Sequence, residues 1–318
     1  MAIKYHNAPK ALVQAYSIFR KVRDWIIAFL AINILRIASW FPADASIQFI
    51  DRIARRIGPL TPRHKLALKN LEMAFPEKTH AEHEKIARDM WGNMSRLAVE
   101  YVFLDRLFDL DLENPANSRI EIDGAEIFQQ LKEAGKPFIV FTAHTGNFEL
   151  LPIAAAAHGL QVTALFRPPN NPYIAERIFE ARRHRMGDLV PSMAGAAYAL
   201  AKKLDDGEGV GVLVDQKFHR GPITTFFGHS TNNNPLLPKL ARQFECEVFP
   251  ARCIRLADNR FRLIIEPALD LPYKENGQLN VDATCQLLND KVELWVREYP
   301  GQWQWFHDRW NIKHQVLK

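Results

Sequence analysis

The rhythm of apolar positions changes near residue 118. Upstream, helical spacing dominates. The densest apolar run is Trp25-Ile-Ile-Ala-Phe-Leu-Ala-Ile-Asn-Ile-Leu35, which continues through Arg36 to Trp40-Phe41 and stops at Pro42. A full membrane span needs about 20 apolar residues, and Arg36 interrupts this one. Arg20, Lys21 and Arg23 precede it, and Trp25, Trp40 and Phe41 flank it as interfacial anchors do. The run starts too late for a signal peptide. It predicts an N-terminal membrane-anchoring region over residues 1–45, either one tilted span or a helix lying in the interface. A buried amphipathic core helix is the alternative. Next, Ile47, Ile50, Ile53, Ala54 and Ile57 recur at helical spacing, with Arg52, Arg55 and Arg56 on the opposite face and Gly58 as a stop. Arg63, His64, Lys65 and Lys69 extend this basic surface. It reads either as a solvated face or as a contact for anionic headgroups. Residues 79–105 predict a long helix, and residues 46–115 a helical cap.

From residue 118 onward, short β-type runs alternate with helical ones. Strands are predicted at Ile120–Ile122, Phe138–Phe141, Val162–Phe166 and Val210–Val214, and a pair at Val248–Ile254 and Phe261–Ile265. Helices are predicted ending at Gly135, then over 148–158, 172–186, 194–204, 236–244 and 281–299. Strands alternating with helices imply an α/β fold with a mainly parallel central sheet flanked by helices. The reading is therefore an N-terminal anchor (1–45) and an α/β domain with its cap (46–318).

Composition excludes whole classes. The 318 residues are 47% hydrophobic and 24% charged, which rules out disordered and polytopic membrane chains. Cys246, Cys253 and Cys285 form no C-x-x-C pair, so neither a disulfide framework nor a zinc site is expected and no metal is assigned. A net charge of +5 points to an anionic partner without naming its kind. There is no G-x-S-x-G elbow, no Walker A and no H-E-x-x-H. Gly207-Glu-Gly209-Val-Gly211 precedes a strand, whereas a dinucleotide fingerprint must follow one.

The informative stretch is Phe141-Thr-Ala-His144-Thr-Gly-Asn147-Phe-Glu149, between a buried strand and a helix. Ligands of α/β sheets sit at the carboxyl ends of strands, which is where His144 falls. Thr145 or Asn147 can cap the helix, and Gly146 allows a tight turn. Glu149 in the first helical turn is placed to fold back on the imidazole. A carboxylate on one ring nitrogen fixes the tautomer and leaves the other to accept a proton from a hydroxyl. A purely structural His and Glu is the competing reading.

His-x4-Glu, with Arg167-Pro-Pro-Asn-Asn-Pro172 one βα unit later, resembles the late acyltransferases of lipid A biosynthesis within the lysophospholipid-acyltransferase-like superfamily. Further blocks match in order: Asn70 to Phe75-Pro76, Val214-Asp215-Gln216, Phe226-Phe227-Gly228, and Gln302-Trp-Gln-Trp305-Phe-His307-Asp-Arg309-Trp310. The resemblance covers about residues 70–310.

It implies acyl transfer from acyl carrier protein to a hydroxyl of a phosphorylated lipid A precursor, in lipopolysaccharide biosynthesis. No acyl-enzyme, cofactor or nucleic acid is involved. His144 is then the general base and Glu149 its orienting acid. Arg167, Asn147, Asp215 and Gln216 are assigned to substrate or oxyanion, Asp215 holding Arg167, holding the acceptor or capping the strand end. Arg177, Arg182 and Arg183, with Arg185, are assigned to acceptor phosphates or the acidic carrier. The implied location is a bacterial inner membrane with the active site on the cytoplasmic side. Three other readings remain at this point: transfer to another lipid, such as a glycolipid, ornithine lipid or lysophospholipid; a hydrolase using the same dyad; and a non-enzymatic membrane-binding protein.

Overall fold

The computed structural model describes residues 10–101, 103, 118–169, 171–176 and 187–316. Its centre is a seven-stranded sheet in the order β1-β9-β8-β2-β5-β3-β4. These strands are β1 (Ile120–Asp123), β2 (Phe138–Thr142), β3 (Val162–Phe166), β4 (Leu189–Pro191), β5 (Gly209–Leu213), β8 (Glu247–Arg255) and β9 (Phe261–Ile265). Strands β8, β2, β5, β3 and β4 run parallel, while β9 pairs antiparallel with β8 and carries β1 beside it. The mainly parallel sheet and the β8–β9 pair expected from the sequence are both present.

Parallel strands must be covered on both faces, and the side chains of β2 alternate between two cores. Ile139 and Phe141 pack into a cluster with Val210, Leu240, Val292 and Trp303. Phe138 joins the opposite cluster, with Phe128, Leu150 and Leu151. Helices α5 (Ala125–Ala134) and α6 (Leu150–Ala157) cover the second face; α7 (Ala196–Asp205), α8 (Leu236–Phe244) and α9 (Val281–Glu298) cover the first.

Preceding them, α1 spans Lys10–Ala38, α2 Ala43–Ile57, α3 Pro62–Ala74 and α4 His80–Glu100. Thr79 and Glu82 form a capping box that fixes the start of α4. Helices α2 and α4 are joined by Asp51, which accepts from Arg55 and from Arg96, each at 2.8 Å. The basic face expected on α2 is thus partly spent on internal ion pairs.

Several elements differ from the sequence expectation. Helix α3 carries the Asn70 block and was not expected as a separate helix. The three-residue edge strand β4 and the hairpin β6 (Ile223–Phe226) and β7 (His229–Asn232) also escape the pattern, all being short and the hairpin rich in threonine and polar residues. Of the helix expected over 172–186, residues 172–176 are helical. The remainder, with Arg177, Arg182, Arg183 and Arg185, lies outside the described residues.

The anchor takes one correction. Among the described residues no helix is long and apolar enough to cross a membrane, so the spanning alternative for residues 1–45 loses its support. Helix α1 is one continuous helix with Trp25, Phe29, Leu30 and Ile34 exposed, which also removes the buried-core alternative.

Candidate active site

His144 lies two residues beyond the end of β2, in the turn leading to α6. Strand β5 is the immediate neighbour of β2, with Thr142 opposite Leu213. Asp215, two residues past β5, therefore lands beside His144. Asp215 Oδ1 lies 2.7 Å from His144 Nδ1, and its Oδ2 accepts the His144 backbone N–H at 2.9 Å. The Trp303 indole N–H donates to the same Oδ2 at 2.8 Å. Burial of Asp215 alone would raise its carboxyl, but the charge of His144 and these three hydrogen bonds outweigh it and hold the group well below the usual carboxylate range. An ionised carboxylate only accepts, so when the imidazole is neutral Nδ1 carries its proton and Nε2 presents a lone pair. The Gln216 amide lies 3.3 Å from that Nε2.

The orienting contact expected from Glu149 is thus made by Asp215, which also corrects its assignment to Arg167 or the acceptor. The reason is topological: five residues of turn carry Glu149 past the ring, whereas the sheet order brings β5 alongside. Glu149 is buried, and it lines an apolar cavity between the sheet and α5–α6. Its empty space, open mouth included, is about 820 Å³. Phe148 lines it too, and its ring meets the imidazole edge-on at 5.0 Å. His144 therefore stands beside the cavity.

The turn is held from behind. Gly146 adopts φ +57°, and a Cβ there would fall 2.2 Å from the Cys253 carbonyl oxygen. Its amide donates to Gln302 O at 3.3 Å, and Thr145 bridges Trp303. Asn147, expected at substrate, is instead buried: its amide donates to Glu100 Oε2 at 2.8 Å and its oxygen accepts from the Glu149 backbone. Glu100 in turn forms a buried ion pair with Arg255, whose Nε donates to Asn93 at 2.9 Å. Arg167 is exposed at the end of β3, one strand beyond β5.

The remaining sequence blocks form the strap that supplies Trp303. The Asn70 amide donates to the carbonyls of Trp305 and His307 at 2.7 and 2.8 Å. Phe75, Phe226, Phe227, Trp303, Trp305 and Trp310 make a chain of aromatic contacts. Arg309 is buried, its guanidinium bonded to Asn232, Asn233 and Asn289. His307 accepts the Lys217 backbone N–H at 3.2 Å, and burial pushes its imidazole down to about 4. Burial pushes Cys253 up to about 12 and Cys246 and Cys285 to about 11, so all three are protonated thiols rather than nucleophiles. Glu100, Arg255 and Asn93 were missed from sequence because nothing local ties them to the turn they support.

A sequence model of the family described as bacterial lipid A biosynthesis acyltransferase matches residues 14–312. The lipid A biosynthesis myristoyltransferase of Escherichia coli is 22% identical over 269 residues, 82% of this chain and 79% of the relative. The lipid A biosynthesis palmitoleoyltransferase of the same organism is 23% identical over 267 residues, 80% of each. A phosphatidylinositol mannoside acyltransferase of Mycolicibacterium smegmatis is 22% identical over 191 residues, 56% of this chain and 58% of the relative. With its match running through the cap, the sheet and the C-terminal strap alike, the chain belongs to the bacterial lipid A biosynthesis acyltransferases and is an enzyme that transfers acyl groups.

Proposed function

We propose that the chain moves a fatty acyl group from acyl carrier protein to a hydroxyl of a phosphorylated lipid A precursor, with His144 as general base. The observation that carries this is the anchored imidazole: Nδ1 is fixed by a buried carboxylate, Nε2 of the neutral ring presents its lone pair, and the ring meets Phe148, which lines an apolar cavity. In the reaction, Nε2 takes the acceptor's hydroxyl proton as the oxygen attacks the thioester carbonyl. The tetrahedral intermediate then expels the carrier thiolate, and the imidazolium returns the proton to sulfur. General base catalysis of this kind is worth about 10²–10⁴ in rate. The Gln216 amide, beside Nε2, is the donor for the developing oxyanion. Glu149, at the cavity, is the second acid supporting the imidazolium. Arg167 meets an acceptor phosphate at the same end of the sheet. The protonated thiols favour direct transfer over an acyl-enzyme, and no cofactor is needed.

The acceptor arrives from a membrane surface. Helix α1 extends about 43 Å at helical rise and exposes aromatic and aliphatic side chains along its length. The Asn171 side chain donates to the Asp24 carbonyl of α1 at 2.6 Å, placing this helix against the segment that follows Arg167. We assign α1 to lying in the interface of the inner membrane, on the cytoplasmic side where the carrier is found. Deleting residues 1–45 should release folded protein from vesicles; retention on them would refute the assignment.

The deciding experiment offers acyl carrier protein thioesters to the purified protein with a lipid A precursor or with a mannosylated phosphatidylinositol. Acylated lipid A precursor, lost in His144→Ala, is expected. Exclusive acylation of the other acceptor would favour the second reading, which the mannoside acyltransferase relative keeps in view. Free fatty acid with no acylated lipid would mean hydrolysis. Family membership already removes the non-enzymatic reading.

A further inference from the structure

The cavity beside His144 has a tiered floor, and the tiers follow from strand register. On its sheet side, Thr142 and Leu213 form the tier nearest the catalytic turn. Val140, Gly211 and Ala164 stand side by side in the next. Phe138, opposite Gly209, forms the last. Successive tiers are two residues apart along a parallel strand, so the floor lies about 13 Å below Thr142. The middle tier is open because two of its three positions are small. A Cβ on Gly211 would meet its nearest neighbour, Val162 Cγ1, at 3.5 Å, an ordinary contact. The last tier is closed: a Cβ on Gly209 would fall 2.3 Å from the Phe138 ring, which lies over that glycine.

We propose that Gly211 and Phe138 set the length of the acyl chain the enzyme accepts, Gly211 by leaving the middle tier open and Phe138 by ending the cavity. This rests on the reading of the cavity as the acyl site. A straight hydrocarbon chain fits a narrow apolar slot closed at one end, and each methylene beyond the floor has nowhere to go. Gly211→Val adds an isopropyl group, a Cβ and two methyls, to the middle tier, in a strand that favours β-branched residues. Phe138→Leu withdraws the ring from the floor.

Two measurements on the full chain test this. The first is kcat/KM for acyl carrier protein charged with saturated chains of graded length. The second is displacement of cis-parinaric acid by free fatty acids of the same lengths, which reads the cavity without requiring transfer. Gly211→Val should move both optima to shorter chains, lowering kcat/KM for the native optimum by about 10–200-fold per excluded methylene. Phe138→Leu should move both to longer chains. Unchanged length profiles in folded variants that still transfer acyl groups would overturn the assignment. Shifted binding profiles in a protein that transfers nothing would uphold it while defeating the proposed reaction. Should Phe138→Leu fail to fold, Gly211→Val decides alone, because it removes no core atoms.

Discussion

Asp215 grips His144 twice, through Oδ1 on the ring Nδ1 at 2.7 Å and through Oδ2 on the backbone N–H at 2.9 Å. The first contact chooses the tautomer and the second fixes where the residue starts, so ring direction and ring chemistry depend on one buried carboxylate. Trp303 shares Oδ2 and so ties the C-terminal strap to the same group.

Asp215→Asn keeps the shape but offers an amide. Its nitrogen can donate to Nδ1, which moves the ring proton to Nε2 and removes the base. A comparable change in a serine protease triad costs about 10⁴ in kcat. We expect a loss of about 10²–10⁴ in kcat with KM little changed, and a smaller loss for Glu149→Gln. Steady-state kinetics on both variants decide the order; a larger effect at Glu149 would return the orienting role to that residue.

Gly146→Ala forces a side chain onto left-handed backbone, at about 1–2 kcal/mol, and against the Cys253 carbonyl as well. The turn must move, and a shift of about 1 Å in a catalytic group can cost 10²-fold in rate. A lowered thermal midpoint together with a kcat loss of that size is expected. Full activity would mean the turn tolerates displacement.

Much of this site is legible in the chain before folding. His144 follows a strand, the sheet is parallel, and the strand-end rule places the imidazole correctly. The partner is harder to see. Asp215 lies 71 residues away, and only the crossover that seats β5 between β2 and β3 makes it a neighbour. Local spacing favours Glu149 because it is close in sequence, but a turn with Gly146 at positive φ sends that side chain to the cavity. Asn147 is a related case: a polar residue beside the histidine suggests a ligand contact, and its amide instead donates to Glu100, which ends a helix in the cap. The strap is visible as a tryptophan-rich block, but its hydrogen bonds to Asp215 and Asn70 are long-range.

The Glu100–Arg255 pair is buried on both sides, so removing one partner strands the other. Arg255→Met should cost about 3–5 kcal/mol. Arg255→Met combined with Glu100→Leu removes both charges and should recover part of that loss, although Asn147 then lacks its acceptor. Urea midpoints of the two variants check the order. Equal destabilisation would show that the pair is not coupled, and slower turnover in the folded double variant is expected from a loosened turn.

His307 gives the pH dependence a definite sign. In an unfolded chain a histidine takes up its proton near 6.5, while in the fold burial first of all, with Arg309, Lys217 and His144 adding repulsion against the opposing pull of Asp215, delays uptake to about 4. Between those values the unfolded state holds more protons, so stability rises with pH across this window and is fully present above 6.5. The whole effect is on the order of 3 kcal/mol. Asp215 acts lower, because its carboxylate is already held below the ordinary range and is lost only in stronger acid. His307→Gln keeps an acceptor for the Lys217 N–H but cannot titrate. Urea midpoints at pH 7.5 and 5 should therefore fall more for the native chain than for the variant. Equal falls would mean that His307 already carries its proton in the folded protein.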